Sequence, residues 1–326
     1  MMHWSLPKIK NERLVFCCKQ LVAAHGLVFV MALSFACTQT PQQLLQGSPT
    51  TSPSQIEAAT INQPTHLKIA MIPSQNSAEE TKQRQLLADY LQEQLELSVT
   101  IEVPQDYGAA IDLLVENKVQ IAYLGPFSYV KAQQRNALLE PIVAPIDKRT
   151  GRPWYTSVIV ANTAQGINKL EDLQGKRFSF VSQSSTSGYL VPLAQLKELG
   201  IDPQQDFAAT SYAGSHNQNL AALTSGAVDA IGINKPTYLN AQKAGELAPE
   251  QYKVLWESDP IPNAPIVISS RLPSQFKLAL QKALLDAPAG LAALSGAKSD
   301  GYTLVEDKDY DAIRQLQATL AIEIND

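Results

Sequence analysis

From Leu67 onward the apolar residues fall into short runs that alternate with segments of helical spacing. Leu67 to Ile72 reads as a strand closed by Pro73, and a polar turn leads from it into a helical pattern, Glu79 to Leu95. Leu86, Leu87, Tyr90, Leu91 and Leu95 share one face of that pattern. A second strand follows at Leu97 to Val103, then a helix at Asp106 to Asn117. A third strand, Gln120 to Leu124, ends in Gly125-Pro126, and another helical pattern opens at Phe127. Strands alternating with helices predict parallel βαβ units and an α/β sheet.

Between Pro145 and Ala161 the rhythm breaks. Gly151-Arg152-Pro153 precedes an extended run, Trp154 to Val160, which predicts a strand crossing into a second lobe. There the alternation resumes: strand Arg177 to Val181, helix Tyr189 to Leu199, strand Phe207 to Tyr212, helix Asn217 to Leu223, strand Val228 to Ile233, helix Pro236 to Ala244 and strand Tyr252 to Trp256. A second proline-rich extended run, Pro260 to Ile268, predicts the return crossing. Helical patterns at Ser274 to Leu285 and Tyr310 to Ile322 would then pack on the first lobe. The expected organisation is residues 67–153 with 262–326 as lobe 1 and residues 154–261 as lobe 2. Two crossings would serve as a hinge beside an interlobe cleft.

The chain's first residues follow a different pattern. Lys8, Lys10, Arg13 and Lys19 against Glu12 give a local charge of +3, and an apolar run from Leu21 ends at Ser34-Phe35-Ala36 before Cys37. This reads as a signal peptide over residues 1–36. Two processing routes fit: lipidation of Cys37, as in a bacterial lipoprotein, or ordinary cleavage after Ala36. Residues 37–66, rich in Gln, Thr, Ser and Pro, read as a linker. Either route places the folded body in the periplasm or at the cell envelope.

Charge then narrows the partners. With a net charge of −5 for the whole chain and +3 in the leader, the remainder carries −5 − (+3) = −8, so nothing resembles an electrostatic footprint for nucleic acid. All three cysteines, Cys17, Cys18 and Cys37, lie at or before the end of the leader, and only His66 and His216 follow it. The body therefore offers no disulfide and no thiol nucleophile, and neither a metal nor a cofactor is expected.

The stretch that carries chemistry is Ser184-Ser185-Thr186-Ser187-Gly188, which closes a strand and opens a helix. Hydroxyls and free backbone N–H groups at a helix N-terminus suit an anion, and the same residues also make an ordinary N-cap. Gly214-Ser215-His216 opens another helix after a strand. Ser74 and Gln75 are cleft candidates by position alone. Asp229 reads as a strand-end turn residue, and Glu79-Glu80 as first-turn helix charges.

Taken in order, the chain resembles a known family on these residues: Tyr107 after Gln105-Asp106, Ala122 to Pro126, Trp154 to Ser157 and Leu170 to Lys176. The match continues through Ser185 to Leu190, Gly214-Ser215-His216, Val228-Asp229-Ala230 and Ile261-Pro262. The family is the periplasmic substrate-binding proteins of phosphonate and phosphite ABC importers, a branch of the two-lobed type 2 periplasmic binding protein fold. The resemblance implies a small phosphorus oxyanion as ligand and an ABC permease as membrane partner. It implies Ser185, Thr186, Ser187 and His216 as donors from one lobe and Tyr107 as a phenolic donor or packing wall from the other, where Tyr123, at a strand end, is a further candidate; members often carry the aromatic one place later, where this chain has Leu124. A monomer without enzymatic activity is expected. Members that recognise aminoalkylphosphonates carry acidic residues where this chain has Pro236 and Ala264, which implies phosphite, methylphosphonate or phosphate as ligand. A phosphate-binding or sensory protein of the same fold is the alternative reading. A serine hydrolase is disfavoured, because no G-x-S-x-G elbow is present.

Overall fold

The structure is a computed structural model in which residues 64–73, 78–291 and 299–322 are described. The leader, Cys37, the linker up to residue 63, Ser74 and Gln75 lie outside the described residues. In the first lobe, β1 (His66–Met71) pairs in parallel with β2 (Ser98–Glu102) and β3 (Ile121–Tyr123), with α1 (Ala78–Leu95) and α2 (Tyr107–Val115) as crossovers. This is the βαβ alternation that the apolar spacing predicts. Glu80, in the first turn of α1, is paired with Arg84 at 3.8 Å.

Parallel pairing does not extend across the sheet. β12 (Ile266–Ser269) runs antiparallel to β3 and to β4 (Leu139–Asp147), and β13 (Ser299–Leu304) runs antiparallel to β4, giving the order β13-β4-β12-β3-β1-β2. The cause is topological. β3 ends at the cleft, and the chain returning from the second lobe enters there, so β12 starts where β3 stops. β4 was not legible in the sequence because Pro141 and Pro145 interrupt it. Both prolines lie beside register shifts in the pairing with β12 and β13, where a missing N–H is tolerated.

The second sheet has the order β10-β6-β9-β7-β8, formed by β6 (Ser157–Asn162), β7 (Arg177–Phe180), β8 (Ala209–Tyr212), β9 (Ala230–Asn234) and β10 (Tyr252–Glu257). β7 pairs in parallel with β8 and β9, whereas β6 enters from the crossing and runs antiparallel to β9. Asp229 ties the start of β9 to β7: it accepts the Arg177 N–H at 2.9 Å and the guanidinium at 2.6 Å. That hydrogen-bonded guanidinium holds its carboxyl below the usual range, a structural role.

The two crossings are joined to each other. β5 (Trp154–Tyr155) and β11 (Ile261–Pro262) form a short antiparallel ribbon, and Asn263 donates its N–H to Pro153 O at 2.8 Å and its Nδ2 to Pro145 O at 2.9 Å. Apolar packing also links the lobes. Leu190, fully buried, shares a cluster with Phe127, Val130 and Tyr310, a contribution of about 1.5–3 kcal/mol for such a side chain. α7 (Ser274–Leu285) packs on α1, β4 and β13. α8 (Asp311–Thr319) packs on α3 (Pro126–Arg135) but also reaches the π-helical turn Thr186–Leu190, so it spans both lobes.

Candidate functional site

A cavity of about 60 Å³ lies between the lobes, and Tyr107, Tyr123, Ser185, Thr186, Ser187 and His216 all border it. Its size suits a ligand of a few heavy atoms. Ile72, Pro73, Gly125 and Asp147 complete the first-lobe side, Asn234 and Pro236 the second, and Tyr155, Asn263 and Ala264 come from the crossings.

Five helical N-termini meet this wall. Tyr107 begins α2 and Gly125 caps α3. Ser185 caps the π turn that runs on into α4 (Val191–Glu198), His216 begins α5 (His216–Thr224), and Asn234 caps α6 (Lys235–Lys243). Each N-terminus presents roughly half a positive charge from aligned peptide dipoles and unpaired N–H groups. Convergence of several favours an anion in the cavity even though no Lys or Arg is among the described lining residues.

The hydroxyls meet main-chain donors and the phenols of the wall. Ser185 Oγ accepts from the Gly188 N–H at 3.1 Å, which uses its lone pair as a cap and leaves its O–H to donate. Thr186 Oγ1 accepts from the Phe127 N–H at 2.8 Å, a bond from the first turn of α3 across to the other lobe. The same hydroxyl also meets the Tyr155 phenol. Ser187 is held through its carbonyl, which accepts from Ser157 Oγ at 2.6 Å. Burial pushes the Tyr107 phenol well above its ordinary range and the Tyr155 phenol up to about 12, so both are neutral donors at physiological pH.

His216 differs from the sequence expectation in one respect. A histidine in a Gly-Ser-His turn suggests a charge that responds to pH near neutrality, but desolvation by burial pushes this imidazole down to about 3. Its Nδ1 accepts the Asn234 N–H at 3.3 Å. A backbone N–H can only donate, so the ring proton sits on Nε2, which is left as a neutral donor. The depressed value also makes stability depend on pH. Between 6.5 and about 3 the unfolded chain binds a proton that the native chain refuses, so this contribution is complete above 6.5 and lost as pH falls toward 3. We expect the melting-temperature difference, wild type minus His216→Gln, to fall on going from about pH 7 to about pH 4.5. Parallel melting curves of the two proteins check this, and a constant difference would contradict the burial argument.

Four wall residues were not singled out in the sequence. Tyr155 stands in the predicted crossing, Asn234 in a strand-to-helix turn and Asn263 between prolines. In each case an amide or phenol beside a strand end was the available signal. Asp147, at the end of β4, was hidden with that strand. Pro236 and Ala264 do border the cavity.

Residues 69–310 match the family described as ABC transporter, phosphonate, periplasmic substrate-binding protein. The phosphate-import protein PhnD of Mycolicibacterium smegmatis is 28% identical over 275 residues, covering 78% of this chain and 85% of that protein. A probable ABC transporter phosphite binding protein, PhnD1 of Prochlorococcus marinus, is 28% identical over 200 residues, covering 59% of this chain and 66% of its own length. The solved structure of PhnD1 from Prochlorococcus marinus in complex with methylphosphonate superposes with a TM-score of 0.69 at 24% identity, over 79% of this chain and 99% of that one.

Proposed function

Because this chain belongs to the periplasmic substrate-binding proteins of phosphonate ABC transporters, we propose that it captures phosphite or methylphosphonate between its lobes and presents the ligand to a membrane permease. The observation that carries this reading is the composition of the cavity wall. Hydroxyls, phenols, His216 Nε2 and helix N-termini supply donors for three oxygens, whereas Ile72, Pro73, Pro236 and Ala264 supply no side-chain donor. A P–H or P–CH3 group rests against such a surface without cost, but a fourth oxygen there goes unsatisfied.

Phosphate is the second reading, supported by the similarity to the phosphate-import protein of Mycolicibacterium smegmatis. A calorimetric comparison of phosphite, methylphosphonate, phosphate and 2-aminoethylphosphonate on the folded body decides among them. We expect phosphite or methylphosphonate to bind more tightly than phosphate, with 2-aminoethylphosphonate weakest because Pro236 and Ala264 offer its ammonium nothing. Phosphate binding more tightly than both would replace the first reading by the second. Submicromolar 2-aminoethylphosphonate with neither small ligand bound would sink both.

The proposed role is binding without catalysis. His216 Nδ1 holds a backbone N–H instead of a carboxylate, and its depressed pKa makes it a poor base. In this reading the ribbon of β5 and β11 is the hinge, and the Phe127 to Thr186 bond closes the lobes over the ligand. The protein acts as a monomer in the periplasm, tethered by a lipid on Cys37. Among the described residues no helix is long and apolar enough to cross a membrane.

A further inference from the structure

One feature of the cavity runs against anion binding: the only formally charged side chain among its described lining residues is a carboxylate, Asp147. Only 3% of its surface is accessible. An uncompensated carboxylate there would repel a phosphonate and attract an ammonium, since charges in a partly desolvated site are weakly screened. Arg149 engages both oxygens. Its N–H reaches Oδ1 at 2.7 Å, its Nε the same oxygen at 3.3 Å, and its Nη2 reaches Oδ2 at 2.8 Å. The guanidinium itself stands outside the wall and is partly exposed.

We infer that Arg149 sets the charge selectivity of the cavity by neutralising Asp147, excluding ligands that carry an ammonium beside the phosphonate. This inference rests on the proposed phosphonate site. It makes Arg149 a positioning residue that acts through Asp147. The carboxylate keeps a partner without the guanidinium, since the Arg149 main-chain N–H donates to Oδ1 at 2.7 Å. Its backbone is fixed in the 147–152 turn, where the Asp147 N–H donates to Arg152 O at 2.9 Å and the Gly151 N–H donates to Asp147 O at 2.8 Å.

Ethylphosphonate and aminomethylphosphonate have the same number of heavy atoms and differ in the charge of the terminal group, so their ratio of dissociation constants reads charge selectivity apart from size. In Arg149→Gln we expect that ratio to move by about tenfold or more toward aminomethylphosphonate, as an unpaired carboxylate in a low-dielectric wall requires. Asp147→Asn, which keeps a side-chain oxygen for the Arg149 N–H, should move it the other way, and the double variant should lose the gain. A ratio unchanged in Arg149→Gln, or equal weakening of both ligands with a lowered melting temperature, would overturn the inference alone and assign the pair to the turn. Wild-type protein that bound neither phosphite nor any phosphonate would instead overturn the proposed function, and the inference with it.

Discussion

Thr186→Val is expected to weaken binding of methylphosphonate or phosphite by about 10- to 150-fold, the equivalent of one charge-assisted hydrogen bond of about 1.5–3 kcal/mol. The substitution nearly conserves shape, so no cavity opens to confuse the result. Two things are lost at once. Thr186 Oγ1 no longer accepts the Phe127 N–H, now made at 2.8 Å, and the hydroxyl proposed to donate to the ligand is gone. The Phe127 amide is buried, and leaving it unpaired costs about 1–3 kcal/mol in any state that keeps the lobes together. Thr186→Ser, which keeps the hydroxyl, should bind to within about threefold of wild type if the oxygen and not the methyl carries the effect. Calorimetry on the three proteins checks the expectation. Equal affinity of the valine variant and wild type would remove Thr186 from the site and with it the proposed link between lobe closure and ligand.

The reason one hydroxyl carries so much is that the cavity has no Lys or Arg among its described lining residues to share the work. In most small anion sites an arginine would dominate and single hydroxyls would matter less. In the proposed site, attraction would come from several helix N-termini, each a fraction of a charge, and the side chains at those termini would orient the oxygens. An acidic chain is compatible with such a site, because dipoles at a helix end act within the first turn and do not depend on net charge.

How much of this was legible in the sequence depends on whether the signal was local. Ser185-Thr186-Ser187-Gly188 and Gly214-Ser215-His216 are N-caps, and caps are written in a few consecutive residues, so the helix starts at the cleft could be read. The crossings were visible as proline-rich extended runs. β4 was not, since its prolines are tolerated only through pairing irregularities with strands more than a hundred residues later in the chain. Asp147 disappeared with it. His216 was recognised as a candidate, but its neutral state depends on burial and on the Asn234 N–H, neither of which is a sequence property. Antiparallel β12 and β6 follow from where the crossings enter, a global constraint that βαβ spacing cannot show.

Gly188→Ala should remove both ligand binding and part of the stability, by geometry alone. Gly188 folds back on the end of β7: its carbonyl accepts the Val181 N–H at 2.9 Å and its own N–H is capped by Ser185. A methyl group at this position would stand 2.4 Å from Val181 Cγ2, 2.5 Å from Val181 Cβ and 2.9 Å from Ser185 Oγ. Such distances cannot be absorbed by a rotamer change, because the Cβ atoms themselves collide. The π turn must shift, and it carries Ser185, Thr186 and Ser187. Overpacking of this kind costs about 1–3 kcal/mol, and a displacement of the donors by even an ångström spoils a site built from directional hydrogen bonds. Shortening the neighbour does not cure it: in Val181→Ala the Cβ contact at 2.5 Å persists, so the double variant Val181→Ala with Gly188→Ala should remain unable to bind. Melting curves with and without methylphosphonate measure both effects together. A double variant that regained the ligand-induced shift would show that the collision lies with the Val181 methyls and that the backbone of the turn can move without losing the site.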